Sequence, residues 1–259
     1  MASSLHSFMS DPKELMLPSG LASRNELLQQ LLGAPGVETS LLPELGIVTL
    51  TPNQVLYEQG DGINQVYFPL DSVVSGLAIM EDGTTMETSM VGRDCMVGIS
   101  SLLGSGLSRQ WVWVTIGGNA IHVEARFLEK LFVQNEAVLK AFLNCYRSVI
   151  TQVSQRCVCN TRHTIMERLC CWLLMVHDRV GDLNLNLTQE MIASRVGARR
   201  AGITVAAGML QEMNAIDYRR GRLHIRDRSS LERIVCECYT VMKLNTQNSS
   251  RFIPPVRYK

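Results

Sequence analysis

The feature that most constrains this chain is a change in the spacing of its apolar residues near Ala125. From about Ile47 to Val123 they come in short alternating runs: Val55-Leu56-Tyr57, Val66-Tyr67-Phe68, Val73 to Met80 and Trp111 to Ile116. Turn residues such as Gly60-Asp61-Gly62 and Glu81-Asp82-Gly83-Thr84 separate them. A period of two puts successive side chains on opposite faces of a strand, and turns about every ten residues predict an antiparallel β-roll of jelly-roll type. Beyond Ala125 the period lengthens to that of a helix. Leu139, Phe142, Tyr146, Val149 and Val153 recur at alternating three and four steps, a heptad seam about two repeats long. That seam either pairs with its copy in a homodimer or packs on its own β-roll.

The division organises the chain. Residues 1–40 read as an N-terminal helical arm, a short helix on a loose segment, with Glu26 to Leu32 helical up to the Gly33-Ala34-Pro35-Gly36 break. The β-roll follows at 41–134, the dimerisation helix at 135–160, a second helical domain at 161–244 and a tail at 245–259. The predicted class is α+β.

Charge divides along the same line. The net charge of +1 conceals nine basic against fifteen acidic residues in 1–160, a balance of −6, and sixteen against nine in 161–259, a balance of +7. Such a basic half meets a polyanion, most simply nucleic-acid phosphate, or is a solvated surface. Even the uncharged stretch Cys95 to Ser108 is shorter than the roughly 20 apolar residues of a membrane span. The N-terminus has no basic start followed by an apolar core, so a cytoplasmic protein without membrane contact is expected. Eight cysteines then read as reduced thiols, most of them small core residues.

The most informative stretch is Leu187 to Leu210. Thr188 is a good N-cap, Glu190 suits the first turn, Ala193 is small where two helices must approach, Gly197 permits a turn and Ile203 returns an apolar face. This is the helix-turn-helix pattern. The second helix opens with Arg199-Arg200, and Ile216 to Ile225 reads as two short strands around a turn loaded with Arg219, Arg220 and Arg222. The pair describes a winged helix-turn-helix, with recognition cations entering a major groove and a basic hairpin on phosphate. Thr188, Gln189, Arg199, Arg200, Thr204, Arg219, Arg220 and Arg222 are the candidate contacts to double-stranded DNA.

A β-roll, a dimer helix and a winged helix in this order resemble the Crp/Fnr family of bacterial transcription regulators, over roughly residues 25 to 240. Leu187-Thr188-Gln189-Glu190, Val196-Gly197, Arg200 and the Gly221 turn carry the likeness, with Val66-Tyr67-Phe68, Glu81-Asp82-Gly83 and Gly98 in the β-roll. The resemblance implies a homodimer on near-palindromic operators, a small-molecule effector and RNA polymerase as a further partner. Where family members carry an Arg-Glu pair and a second Arg for base reading, only Arg200 remains, beside Ala201 and Val205. Where the cyclic-AMP-binding branch carries a glutamate on the ribose and a serine on the phosphate, this chain has Gly98-Ile99 and Arg109-Gln110. An effector pocket at Gly98, Ile99, Arg109, Gln110 and Trp111 is therefore expected to exclude cyclic AMP. Leu102, Leu103, Trp111 and Trp113 either line it for a more apolar molecule or fill it. Arg109 either meets an anion or is an exposed cation beside Trp111.

Enzymatic readings find little support. A cupin-type oxygenase needs several histidines, and His122 is the sole histidine between 41 and 134. The pairs Cys157-x-Cys159, Cys170-Cys171 and Cys236-x-Cys238 lack the two-residue gap usual in zinc and iron–sulfur sites, so no metal, cofactor or catalytic residue is assigned. A redox role stays open for Cys157 and Cys159. The alternative function is a ligand-binding module acting through protein contacts.

Overall fold

A computed structural model describes residues 20–247 except Ser105. The start of the expected arm and most of the expected tail lie outside these residues. The first element, α1 (Glu26–Leu32), is no loose segment. Asn25 is fully buried, accepts from the Leu28 amide at 2.9 Å and donates to the carbonyls of Pro69 (3.0 Å) and Cys95 (2.9 Å). One side chain thus caps the helix and ties it to two β-roll segments. Leu27, Leu28 and Leu31 enter the β-roll core beneath it, so the segment is docked by the apolar stripe that makes it helical.

A single turn, α2 (Glu38–Leu41), leads into seven strands: β1 (Gly46–Leu50), β2 (Val55–Tyr57), β3 (Gln65–Pro69), β4 (Val73–Ile79), β5 (Thr85–Val91), β6 (Trp111–Ile116) and β7 (Gly118–Glu124). They form two antiparallel sheets, β1-β7-β3 and β2-β6-β4-β5, the β-roll that the alternation predicts. Val66, Phe68, Val114, Ile121 and Val123 fill the space between them. The β4–β5 hairpin turns at the expected place, with Gly83 at φ 80°. Residues Val73 to Leu77 are buried without alternation, which requires cover on both faces of β4. The second cover comes from the helices that follow.

Those helices are α3 (Ala125–Gln134), α4 (Glu136–Arg162) and α5 (Ile165–Val180). Asn135 starts α4 by accepting from the amides of Ala137 and Val138. At 1.5 Å per residue its 27 residues span about 40 Å. Thr164 and Glu167 form a reciprocal capping box that restarts the chain as α5 immediately after the bend at His163. Then come β8 (Asn184–Asn186), α6 (Gln189–Val196), α7 (Arg200–Glu212), β9 (Ile216–Arg219), β10 (Arg222–Ile225), α8 (Arg228–Ile234) and α9 (Cys238–Gln247). Leu169, Leu173, Ile192, Ile203, Leu210, Leu223 and Ile225 make a second core.

Two expectations need correction. Phe142 and Val149 do not belong to an outward seam: Phe142 is buried against Phe132, and Val149 packs on the β-roll core. The large apolar residues left toward solvent on α4 are Leu143, Tyr146 and Ile150, flanked by half-buried Leu139 and Val153, with Val158 exposed farther along the helix. Both stripes step by three and four, so the period alone could not say which faces the molecule's own core. The reduced-thiol reading also fails at one place. Cys95, after β5, and Cys145, on the inner face of α4, form a disulfide with Cα atoms 5.8 Å apart, brought together across 50 residues by the packing of α4 on the roll.

Candidate nucleic-acid interface

Helix α6 is started by Thr188, whose hydroxyl oxygen accepts from the Met191 amide at 3.1 Å. It ends at Gly197, which takes the left-handed conformation (φ 69°) that lets the chain reverse into α7. Ala193 and Ile203, from the two helices, are both buried in the same core, as the spacing predicts. Arg199 stands at the N-cap of α7 with no side-chain cap. The first amides of that helix, with the positive end of its dipole, therefore face outward. Arg199, Arg200, Ala201, Thr204, Val205 and Met209 form its exposed face. The Thr204 hydroxyl donates to the Gln189 side-chain carbonyl at 2.9 Å, which sets α6 and α7 in one surface.

The wing sits beside that face. β10 pairs with both β9 and β8, and the turn between β9 and β10 is two residues long, Arg220 (φ 51°) and Gly221 (φ 76°). Two successive positive φ values make a type I′ turn, matched to the twist of a tight hairpin. Glycine or asparagine is the usual occupant at the first of these positions, and an arginine there costs about 1–2 kcal/mol. The wing is pinned to the head of α6, because Leu187 donates its amide to the Gly221 carbonyl (2.8 Å) and Tyr218 donates its hydroxyl to the Leu187 carbonyl (2.8 Å). Burial pushes the Tyr218 hydroxyl upward in pKa, with the nearby Arg200 charge opposing. Arg219, Arg220 and Arg222 are all exposed, and Asp217 at the base pairs with Arg219 (3.5 Å) and Arg226 (3.1 Å). Those guanidinium groups, Arg226 first, hold the Asp217 carboxyl below its ordinary range. The expected DNA contacts are thus gathered on one basic surface built from the α6 start, the α7 start and the wing.

The expected effector residues are placed less uniformly. Gly98 takes a left-handed conformation before the 3₁₀ turn that begins at Ile99, and Arg109 is exposed ahead of β6. Gln110 is held by neighbouring side chains. Its carbonyl accepts from Thr88 (2.7 Å) and its amide donates to Ser89 (3.2 Å), over Gly76, where a Cβ would collide with it. Trp111 meets Trp113 edge to face, with centroids 6.5 Å apart, and the Trp113 indole N–H is buried with no protein partner among the described residues. Leu102 packs on the core and Leu103 is exposed, so these two do not form one lining.

Sequence reasoning missed the groups that join the two halves. Arg195, within the helix-turn-helix motif, is buried rather than offered to DNA, because α6 docks on the β-roll. Its guanidinium donates to Thr115 (3.2 Å) and lies 3.7 Å from Glu87, a carboxylate fully removed from solvent. Glu87 also accepts from Arg156 (2.8 Å), Trp172 (3.1 Å) and Ser75 (2.5 Å). Nearby, Asp94 takes a bidentate pair from Arg179 at 2.6 and 3.1 Å. Apart from Ser75, each partner lies more than twenty residues from the carboxylate it meets, so no local spacing could announce these contacts.

The comparisons with known proteins agree with this geometry. The Crp-like helix-turn-helix domain family matches residues 167–234. FixK2 from Bradyrhizobium japonicum superimposes with a TM-score of 0.63 at 17% identity, over 74% of this chain and 98% of that one. TTHB099, a CRP-family transcriptional regulator from Thermus thermophilus, does so with 0.59 at 16%, over 72% and 95%. The c-di-GMP-responsive global regulator CLP from Xanthomonas campestris gives 0.55 at 14%, over 77% and 97%. No curated protein sequence matches the chain significantly. Among the described residues no helix is long and apolar enough to cross a membrane. The chain thus carries a Crp-like helix-turn-helix domain, joined through a long helix to an antiparallel β-roll, and its fold is similar to that of solved CRP/FNR-family regulators.

Proposed function

We propose that the chain acts in the cytoplasm as a homodimer that recognises near-palindromic duplex DNA, with α7 in the major groove and the wing on phosphate. The observation that carries this reading is the shared surface of Arg199, Arg200 and Thr204 on α7 with Arg219, Arg220 and Arg222 on the wing. Arg220 held at positive φ supports it: a strained cation at a wing tip is favoured where charge at that point is needed. The exposed stripe of Leu143, Tyr146 and Ile150 on α4 supports the dimer, since a second copy buries it and sets two recognition helices about one DNA turn apart. RNA polymerase is the natural further partner of such a regulator.

The effector reading is that the β-roll does not take cyclic AMP. Ile99 offers no carboxylate to a ribose, and both ends of the Gln110 amide are occupied by Thr88 and Ser89. Leaving ribose and phosphate groups unpaired costs roughly 1–3 kcal/mol for each neutral group. The unpaired Trp113 N–H favours a molecule with a hydrogen-bond acceptor among aromatic contacts. The test of the whole reading is selection of bound sites from random duplexes, with sedimentation of the complex. Two inverted half-sites held by two chains are expected; no enriched sequence, or one chain on an asymmetric site, would overturn it. Calorimetric titration with cyclic AMP tests the effector reading, which micromolar binding with a gain in operator affinity would refute.

A further inference from the structure

Four groups that the sequence scatters over nearly eighty residues meet where α4 bends into α5. Cys159 lies in the last turn of α4, His163 is the bend itself, Cys236 lies between α8 and α9, and Cys238 begins α9, the two flanking Glu237. Their ligand atoms all lie within 4.8 Å of one another. Cys159 Sγ is 3.6 Å from Cys236 Sγ, and His163 Nδ1 is 3.5 Å from Cys238 Sγ. Around a tetrahedral zinc ion, bonds of about 2.3 Å to sulfur and 2.0–2.1 Å to nitrogen put sulfur atoms about 3.8 Å apart and sulfur and nitrogen about 3.5 Å apart. The spacing of this cluster is thus already that of a coordination shell.

The surroundings agree. The three thiols are buried and His163 is half-buried, so an ion there would be shielded from water. His163 turns its other nitrogen, Nε2, to the Glu237 carboxylate at 3.3 Å. A carboxylate behind an imidazole fixes the ring and directs the opposite nitrogen to a metal. The Gln155 side-chain amide donates to Cys238 Sγ at 3.1 Å, a contact suited to a thiolate. The ligands come from separate elements rather than from one knuckle, so a two-residue gap between the cysteines is not required.

We propose that Cys159, His163, Cys236 and Cys238 bind one zinc ion that clasps the end of the dimerisation helix to the segment behind the winged domain. Binding releases the three thiol protons to solvent and leaves a closed Cys3His site of net charge −1; no electron is transferred. The ion ties the bend at His163 to the start of α9, and so fixes how the DNA-binding half leaves α4. This inference stands on the cluster alone and does not depend on DNA binding.

The test is titration of the reduced full chain with Co(II), read by thiolate-to-cobalt charge-transfer absorption and by the d–d bands of a tetrahedral ion, followed by displacement with Zn(II). One Co(II) per chain is expected, lost in Cys236→Ser and Cys238→Ser and kept in Cys157→Ser, whose thiol is exposed and outside the cluster. His163→Gln, at the helix end, is expected to fold, to shift the d–d bands and to weaken binding. Should a serine variant fail to fold, the wild-type and His163→Gln spectra decide. Absence of tetrahedral bands in excess metal, or bands unchanged in Cys238→Ser or His163→Gln, would overturn the proposal.

Discussion

Replacing Glu87 by Gln is expected to loosen the joint between the two halves of the molecule. The carboxylate is fully buried and faces two guanidinium groups, Arg156 from α4 at 2.8 Å and Arg195 from α6 at 3.7 Å, with the Trp172 indole of α5 at 3.1 Å. Burial pulls the Arg195 pKa down, Glu87 works against that fall, and Arg156 adds to it. Two buried cations are thus held by one anion. An amide keeps the shape but removes the charge that both require, and breaking a buried pair costs about 3–5 kcal/mol. The amide carbonyl still accepts one bond from Arg156 or Trp172, worth about 1 kcal/mol, so the low end, near 3 kcal/mol, is expected. Urea titration followed by far-UV circular dichroism and by tryptophan fluorescence reads it. A second substitution, Arg195→Met, is expected to restore part of the loss by removing one stranded cation. A loss below about 1 kcal/mol, the size of a surface pair, would refute the view that this network holds the docked state.

Three further outcomes follow from other contacts. Gly92→Ala is expected to destabilise the chain by about 1–3 kcal/mol, because the new methyl would meet Arg179, which its bidentate pair with Asp94 holds in place; thermal unfolding checks it. Ile150→Asp or Tyr146→Asp is expected to give monomers by sedimentation with DNA affinity much reduced, whereas Phe142→Asp, at a buried position, should impair folding itself. Burial, then the Arg228 charge, lowers the His177 pKa below its ordinary value of 6.5. The unfolded chain therefore takes up that proton first, and stability is expected to fall as pH drops from about 6.5 toward the lower folded value. A His177→Gln variant should lose this part of the slope in denaturation titrations at several pH values.

Much of the architecture was legible because it rests on local rules. The alternation around Val66 to Phe68 and Val73 to Ile79, the Gly83 turn, the Thr188 cap and the Gly197 reversal each act within a few residues. What stayed hidden depends on which surfaces meet. Helix α4 is apolar on two adjacent faces, and only its packing on the roll decides that Phe142 turns inward and Tyr146 outward. Arg195 lies within the helix-turn-helix motif, yet its side chain is buried against Glu87 and Thr115. Gln110 looks like a lost ligand contact and stands just ahead of β6, its side chain bonded to Thr88 and Ser89. The cysteines carried no usable spacing, because Cys95 finds Cys145, and Cys159 finds Cys236, across separate elements.

The central claim is that α7 reads sequence while the wing holds phosphate, and binding at matched salt to a selected site and to a scrambled duplex tests it most directly. Arg200→Ala is expected to lose about 1–3 kcal/mol on the selected site and little on the scrambled one, so that specificity is relaxed. Arg220→Ala is expected to weaken both duplexes alike and to reduce the salt slope by about one. If Arg200→Ala bound both duplexes with wild-type affinity, α7 would not be the recognition helix and the account would fail.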